Sequence, residues 1–169
     1  MALGWTTLGP DRMSTKDSAC GMYGFLELTV SQYMTRKVKT VRRGTNLREL
    51  EHLFRQHDFN AFPVLEGGKM VGLVSKFDFL SAFVFTTTQL VPHYDELMRL
   101  TVQDVMTEKV VHAEPQAPLT RVLQMMVDLR SRSFPVMERS NGLVGMIARE
   151  DIMRALQDVT SGPHEERTA

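Results

Sequence analysis

Apolar residues recur at a helical spacing in two stretches of the chain. Leu47, Leu50 and Phe54 lie three or four residues apart, which predicts an amphipathic helix, and Asn46 with Glu49 forms a capping pair at its start. The second stretch has the same spacing, and its apolar face consists of Leu119, Val122, Met125, Met126 and Leu129. Both helices therefore present an apolar stripe to a core.

A pair of short apolar runs follows each of these helices. Residues 61–65 and 70–74 flank a Gly-Gly pair, and residues 133–137 and 143–147 flank a Ser-Asn-Gly turn. Glycine-containing turns between apolar runs are typical of hairpins, so two antiparallel hairpins are predicted. The shorter predicted elements are helices over 28–34 and 100–106, strands near 38–41 and 110–113, and closing helices from Ser75 and Ala148.

The sequence itself repeats at an offset of 72 residues. Residues 28–35 and 100–107 are identical at five of eight positions, and Phe-Pro-Val occurs at 62–64 and again at 134–136. After the hairpin turn, where one residue is inserted, the offset becomes 73. A turn is where a shared fold tolerates an insertion. The chain is therefore predicted to be an α+β protein with two copies of an α-β-α-β-β-α unit.

These repeats divide the chain into five parts. The N-terminal segment contains four glycines among scattered polar residues, the segment between the repeats contains a Thr-Thr-Thr run and a Pro-His pair, and the C-terminal segment is polar, which is typical of tails and connections. The predicted parts are a flexible N-terminal tail (1–25), a first repeat (26–83), a connecting segment (84–98), a second repeat (99–158) and a polar C-terminal tail (159–169).

Composition excludes several classes of protein. The 169 residues include 20 basic and 20 acidic side chains, so no net field attracts nucleic acid or an anionic membrane. A single cysteine excludes an internal disulfide framework and a cysteine-rich zinc site. No apolar run has the length of a membrane span, and the N-terminus is not a signal peptide, so a cytoplasmic location is expected. The five histidines have no partners at ligand spacing, and neither a metal site nor an enzyme is expected.

The ordered motifs resemble the cystathionine β-synthase (CBS) domain. Each copy has Val-x-x-x-Met-Thr, then Phe-Pro-Val, then Val-Gly followed by an aspartate, and two copies resemble a tandem CBS pair. This resemblance implies two repeats packed sheet to sheet about a pseudo-two-fold axis. It also implies a regulatory module that binds AMP, ADP, ATP or S-adenosylmethionine between the repeats, without a catalytic cofactor. A homodimer that signals to an effector protein is expected; the alternative is a scaffold with degenerate sites.

One candidate ligand site in each repeat lies where the last strand meets the last helix. Ser75 and Asp78 match the Ser/Thr-x-x-Asp pattern that binds ribose and phosphate in this family, and Lys76 adds positive charge. The same pair also suits a helix N-cap. The second copy keeps Asp151 and offers Arg149 for phosphate, but Ala148 replaces the hydroxyl and Glu150 adds negative charge. Two unequal sites are expected, with the Asp78 site the better one.

The resemblance suggests further contacts around the cleft. Phe62 and Phe134, which precede Pro63 and Pro135, either stack on adenine or belong to the core. Arg132 either binds phosphate or lies on a solvated loop. The remaining candidates contact adenine through their backbone in the family, and they are Thr40, Val41, His112 and Ala113.

Two surface features complete the predictions. Five basic residues occur within eight positions, and they are Arg36, Lys37, Lys39, Arg42 and Arg43. They either form a solvated face or attract anionic ligands. In CBS pairs the last helices meet those of a second copy, and the candidates for this surface are Phe79, Leu80, Phe83, Met153 and Leu156.

Overall fold

The computed structural model describes residues 23–84, 94–139 and 142–161. After a helical turn at 23–26, the helices are α1 (Val30–Tyr33), α2 (Leu47–Gln56), α3 (Lys76–Ser81), α4 (Tyr94–Leu97), α5 (Val102–Val105), α6 (Leu119–Asp128) and α7 (Arg149–Thr160). The strands are β1 (Ala61–Glu66), β2 (Lys69–Ser75), β3 (Ser133–Glu138) and β4 (Gly142–Ala148). The elements occur in two similar sets, so the predicted α+β class with two repeats is confirmed.

Each repeat contains a two-stranded antiparallel sheet. β1 pairs with β2, and β3 pairs with β4. Both ladders shift register at the equivalent place, after Val64 in the first sheet and after Val136 in the second. Gly67 and Gly68 have φ of 56° and 79°, a backbone region that glycine adopts without steric cost. The hairpins predicted from the turn residues are therefore present.

The predicted strands before the amphipathic helices are reduced to single bridges. Val41 pairs in parallel with Val64, and Ala113 pairs in parallel with Val136. The residues directly before each bridge, Lys39-Thr40 and Val111-His112, are exposed rather than paired in a sheet.

Two hydrophobic cores form, and each takes a helix from the opposite repeat. Val30 and Met34 of the α1 segment are buried in the core of the second repeat, whose members also include Leu119, Phe134 and Ile147. In the same way, Val102 of α5 is buried in the core of the first repeat, whose other members are Val41, Leu47, Leu50, Phe62, Val64, Val74 and Met98. Sequence similarity gave no indication of this exchange.

Parts of the predicted tail and connection also belong to the cores. Phe25, which lies in the predicted tail, is 3% exposed in the second core. Met98, which lies in the predicted connecting segment, is 1% exposed in the first core. Residues 1–22, 85–93 and 162–169, which make up most of the tails and connection, lie outside the described residues.

Backbone hydrogen bonds fix the exchanged helices. The Val30 amide donates to the Ala117 carbonyl at 3.0 Å, and the Leu119 amide donates to the Leu28 carbonyl at 2.9 Å. These contacts satisfy amides at two helix starts that have no partner inside their own helix. Val102 with Thr45, and Leu47 with Leu100, repeat the arrangement in the other half, both at 2.8 Å.

Gly72 and Gly145 occupy equivalent positions in the two repeats, and each lies where a segment of the other repeat crosses its strand. Thr35 exchanges two backbone hydrogen bonds with Met146, at 2.8 and 2.9 Å, beside Gly145. A Cβ at Gly145 would lie 2.7 Å from the Met34 sulfur, and a Cβ at Gly72 would lie 2.9 Å from the Thr107 carbonyl oxygen. The close approach of the crossing segments therefore favours glycine at both positions, most strictly at Gly72, where the neighbouring atom belongs to the backbone.

Candidate functional site

A cleft lies between the two repeats at the start of α7. Its volume is about 470 Å³. The first repeat lines it with Thr35, residues 37–39, residues 58–61 and Lys76, and the second repeat with Arg132, Ser133, Met146 and residues 148–151. Four predicted ligand residues, Lys76, Arg132, Arg149 and Asp151, thus lie around one cavity.

Asp151 is the buried acid of this cleft. Its residue is 7% exposed. Oδ2 accepts a hydrogen bond from the Ala148 amide at 2.9 Å, and Oδ1 accepts one from the Arg154 guanidinium at 2.6 Å. These bonds orient the carboxylate at the first turn of α7, where the amide groups of a helix start also favour negative charge. A carboxylate has about four lone-pair positions, so both oxygens can accept further hydrogen bonds from a ligand.

Arg154 links this carboxylate to the exchanged helix α1. The same guanidinium donates to the Tyr33 carbonyl at 3.0 Å and lies 5.9 Å from the centre of the Tyr33 ring. The Tyr33 hydroxyl donates to Asp158 at 3.1 Å. Desolvation by burial raises the pKa of Tyr33, and the hydrogen bond to Asp158 raises it further. A chain of contacts therefore joins α1 of the first repeat to the site aspartate of the second.

Basic side chains from both repeats surround the cleft. Lys76 forms an ion pair with Asp58 at 3.3 Å, and Arg149 forms one with Glu150 at 2.8 Å. Arg132 donates a weak hydrogen bond of 3.4 Å to Asn60, the residue that occupies the equivalent position in the first repeat. Arg132, a predicted phosphate ligand, therefore lies where the two repeats meet.

The Glu150 carboxyl beside them has opposing influences on its pKa. Desolvation by burial raises this pKa, but hydrogen bonds from the Arg149 side chain and the Glu150 backbone, together with the Arg149 charge, lower it more. The pKa of Glu150 therefore lies below its ordinary value, although the Asp58 charge nearby also acts to raise it. Glu150 and Asp58 add negative charge to the cleft wall.

Lys37 and Lys39 line the cleft, although the sequence predicted them only as members of the basic run and not as individual ligand contacts. Other members of the run face elsewhere: Arg43 lies within 3.2 Å of Glu66, and the Arg36 side chain donates to the Ser31 carbonyl. The two interpretations that the sequence left open for the run, a solvated face and an attraction for anionic ligands, thus apply to different members of it.

Ser75 and Asp78 lie outside the described lining of this cleft. The Ser75 hydroxyl and amide both donate to Asp78 Oδ2, at 2.6 and 2.7 Å. The Asp78 amide in turn donates to the Ser75 oxygen at 3.1 Å. These bonds form a capping box at the start of α3, as the alternative interpretation predicted. The sequence favoured Asp78 over Asp151, but the cleft in the structure lies beside Asp151.

The remaining predicted residues line other cavities or belong to the cores. Phe62 and Phe134 are 1% and 3% exposed in the two cores, so neither ring is open to a ligand in this structure. His112 and Pro135 line a cavity of about 130 Å³, while Thr40 and Val41 line a groove of about 1140 Å³ in the first repeat. Pro63 and Ala113 are buried.

Two of the four residues expected to contact adenine through their backbone, Val41 and Ala113, already have hydrogen-bonded backbone groups. The Val41 amide donates to the Pro63 carbonyl at 3.0 Å, and the Ala113 amide donates to the Pro135 carbonyl at 2.9 Å. The Val41 and Ala113 carbonyls accept from Leu65 and Met137, both at 2.9 Å.

The described residues contain neither a cluster of metal-ligating side chains nor a membrane-spanning helix. Residues 23–84, 94–139 and 142–161 contain no group of three or more histidine, cysteine, aspartate or glutamate side chains placed to hold a metal ion. Over the same ranges, no helix combines the length and the apolar character needed to cross a membrane.

Known proteins are similar to this chain in sequence and in fold. A protein of Methanocaldococcus jannaschii of uncharacterised function is 30% identical over 138 residues, which cover 80% of this chain and 47% of that protein. The chain thus spans about half the length of that relative, and about a quarter of two others.

Two solved CBS pairs superpose on the structure. The CBS domain pair of protein MJ0100, in complex with 5′-methylthioadenosine and S-adenosyl-L-methionine, has a TM-score of 0.65 at 22% identity and covers 78% of this chain and 97% of its own. CBSX2 in complex with AMP has a TM-score of 0.66 at 22% identity, with the same coverages.

The family assignment rests on both halves of the chain. The CBS domain profile matches residues 30–84 and residues 102–158, which are the two repeats found in the sequence and in the fold. Together the two matches cover well over half of the chain, in the order and spacing of a pair. The chain belongs to the CBS-domain family.

Proposed function

We propose that this chain is a regulatory module that binds an adenosine-containing ligand in the cleft beside Asp151. The observation that carries the proposal is the convergence of Lys76, Arg132, Arg149 and Asp151 on one cavity from separate elements. A volume of about 470 Å³ lies in the usual range for small-molecule sites. The adenosine ligands in two solved CBS pairs support this class of ligand.

Each of these side chains has a role that follows from its chemistry. The Asp151 carboxylate accepts hydrogen bonds from ribose hydroxyls, because Ala148 and Arg154 already hold it in position. Arg149 and Arg132 bind phosphate oxygens, since a guanidinium matches the geometry of phosphate. Ala148 supplies no hydroxyl, so the Asp151 carboxylate carries the recognition of the sugar in this cleft.

Ligand binding is coupled to the geometry of the pair. The cleft takes walls from both repeats, so a ligand that contacts both favours one relative arrangement of them. The shift is limited by the difference in affinity of the ligand for the two arrangements. We infer that an effector protein reads this arrangement.

A thermal-shift series tests the proposal. Nucleotide-free full-length protein is heated with AMP, ADP, ATP, S-adenosylmethionine, NAD or GTP. A ligand at 100 times its Kd adds about 2.7 kcal/mol, which corresponds to about 5–10 °C for a chain of this length. We expect such a shift with at least one adenosine ligand and none with GTP. Absence of any shift would favour the alternative, a scaffold with degenerate sites, for which the missing hydroxyl at Ala148 is the main support.

We further infer that the module is a homodimer that uses the ends of α3 and α7. Leu80 and Met153 occupy equivalent positions in the two repeats and are 61% and 58% exposed. Phe79, Phe83 and Leu156 instead pack against the cores as half-buried residues. Light scattering after gel filtration should give a dimer for the natural chain, and a monomer for Leu80→Glu. A natural chain that is monomeric at high concentration would contradict this inference.

A further inference from the structure

The cleft beside Asp151 has an excess of positive charge. Five basic side chains line it against three acidic ones, and these are Lys37, Lys39, Lys76, Arg132 and Arg149 against Asp58, Glu150 and Asp151. In a chain whose total charge is zero, this is a local concentration of positive charge. A concave site lined by one sign of charge attracts ligands of the opposite sign.

Each of the three acids is already paired with a cation. Asp58 is 3.3 Å from Lys76, Glu150 is 2.8 Å from Arg149, and Asp151 is 2.6 Å from Arg154. The acids therefore do not neutralise the rest of the basic residues in the cleft.

Three cations remain without a carboxylate. Lys37 and Lys39 are exposed and form no ion pair within residues 23–84, 94–139 and 142–161. Among the same residues, Arg132 has only the 3.4 Å hydrogen bond to the Asn60 amide oxygen. These three come from two segments in different repeats and line the same cavity, so one anion with several charged groups can be met from both sides.

The opposite face of the pair does not repeat this arrangement. The position of Lys39 is taken by Val111, which is 47% exposed, and the position of Glu150 by Phe77, which is 78% exposed. The surplus of cations is therefore a property of the Asp151 cleft and not of the repeat in general.

We propose that the ligand of the Asp151 cleft carries two or more phosphates, as a nucleoside di- or triphosphate does. One phosphate has a charge of about −1.5 to −2 at pH 7, and each further phosphate adds about one negative charge. Three free cations thus match a di- or triphosphate better than AMP, and better than S-adenosylmethionine, whose sulfonium is positive. The adenosine part of this ligand rests on the proposed function; the phosphate chain rests on the charges described here.

Isothermal titration calorimetry on nucleotide-free full-length protein tests the inference. AMP, ADP, ATP and inorganic tripolyphosphate are compared at 50 and 500 mM NaCl. We expect ATP to bind about tenfold or more tightly than AMP, since a hydrogen bond to a charged group contributes enough for such a factor. Salt should weaken ATP binding more than AMP binding, because screening acts on each additional charge.

The double variant Lys37→Gln/Lys39→Gln supplies the residue-level test. It should lower ATP affinity about 10- to 100-fold and AMP affinity no more than about threefold. The control is Lys109→Gln, which changes an exposed lysine at the position equivalent to Lys37 but outside the cleft lining, and it should leave both affinities unchanged. Thermal unfolding verifies that each variant is folded, and the salt series on the natural chain needs no variant.

The outcomes separate the two proposals. Equal affinities for AMP and ATP, with no effect of the double variant, would overturn the polyphosphate inference and leave the adenosine proposal standing. Binding of tripolyphosphate without binding of any adenine nucleotide would overturn the adenosine proposal alone. No binding of either kind would overturn both.

Discussion

The first turns of α3 and α7 contain the same aspartate but surround it with different side chains. Asp78 accepts the Ser75 amide and hydroxyl, so its partners are all in the local capping box. Asp151 accepts the Ala148 amide and the Arg154 guanidinium, and Arg154 also reaches α1. The aspartate thus caps the helix start in both repeats, and in the second it also lies in a cleft and is linked through Arg154 to the opposite repeat.

The serine of the motif and the cleft between the repeats therefore do not coincide. The copy with the hydroxyl has its aspartate engaged locally, and the copy without it has its aspartate in the lining of the 470 Å³ cleft. The walls of this cleft come in part from distant segments of the other repeat, Thr35, residues 37–39 and residues 58–61.

The largest expected effect comes from exchanging each aspartate for alanine. Asp151→Ala should weaken binding of the adenosine ligand about 10- to 100-fold, because two charge-assisted hydrogen bonds to the ribose are lost. Asp78→Ala should change affinity less than about threefold and reduce stability by about 0.5–2 kcal/mol through loss of the cap. Calorimetry and urea unfolding measure the two properties separately. The reverse result, loss of binding in Asp78→Ala alone, would move the site to α3.

The second prediction compares the stability of alanine variants at Gly72 and Gly145, the two glycines at the crossings. A Cβ at Gly72 would meet the Thr107 backbone oxygen at 2.9 Å, whereas at Gly145 the closest atom is the flexible Met34 sulfur at 2.7 Å. Gly72→Ala should therefore destabilise the fold by about 1–3 kcal/mol, and Gly145→Ala by less, because a side chain can move aside more easily than a backbone.

Gly44 provides the matched control for these two variants. A Cβ there would have nothing within 4 Å, so Gly44→Ala should leave the urea midpoint nearly unchanged. If Gly145→Ala is the more destabilising of the two crossing variants, the backbone at Thr107 is more adaptable than this geometry indicates.

Arg154→Ser converts the second repeat to the pattern of the first, which has Ser81 at this position. The substitution leaves the buried Asp151 without a cationic partner and removes the link to the Tyr33 carbonyl. Since Arg154 itself is about half exposed, we expect a loss of about 1 kcal/mol in urea unfolding and several-fold weaker ligand binding. Arg121→Ser, which removes an exposed arginine of α6, is the control and should change neither quantity.

Tyr33 reports on the same change spectroscopically. The Arg154 charge acts to lower the pKa of Tyr33 against the effects of burial and Asp158, so its removal should raise that pKa further. Ultraviolet titration, with Tyr33→Phe to identify the signal, measures this. An unchanged titration would mean that Arg154 is not held beside the ring in solution.

Local features of the fold were predictable, and long-range ones were not. The hairpins and α2 follow from turn residues and periodicity, because those signals act within a few residues. The exchange of α1 and α5 between cores left no trace, since an apolar face such as Val30 and Met34 suits either core. Lys76 and Arg149 were predicted from the motif, but Lys37 and Lys39 become cleft residues only through the pairing of Thr35 with Met146.

The smallest expected effect is a difference in the pH dependence of stability between the caps of the two exchanged helices, α1 and α5. Thr29 and Gln32 cap α1, and the equivalent Thr101 and Asp104 cap α5. Hydrogen bonds from the Thr101 amide at 2.7 Å and hydroxyl at 2.8 Å hold the pKa of Asp104 below the ordinary value of an aspartate. The glutamine of α1 does not titrate, so only the cap of α5 depends on pH.

The sign of this dependence follows from the lowered pKa. Because folded Asp104 binds a proton less readily than unfolded Asp104, its contribution to stability is present above the unfolded pKa and is lost as the pH falls through the lower folded pKa. Asp104→Gln copies the cap of α1 and should remove this contribution at every pH. The difference in unfolding free energy between the natural chain and Asp104→Gln should therefore be constant from pH 7 to about pH 5 and should shrink below pH 3.8. A difference that persists unchanged to pH 2 would show that the α5 cap depends on the shape of the Asp104 side chain and not on its charge.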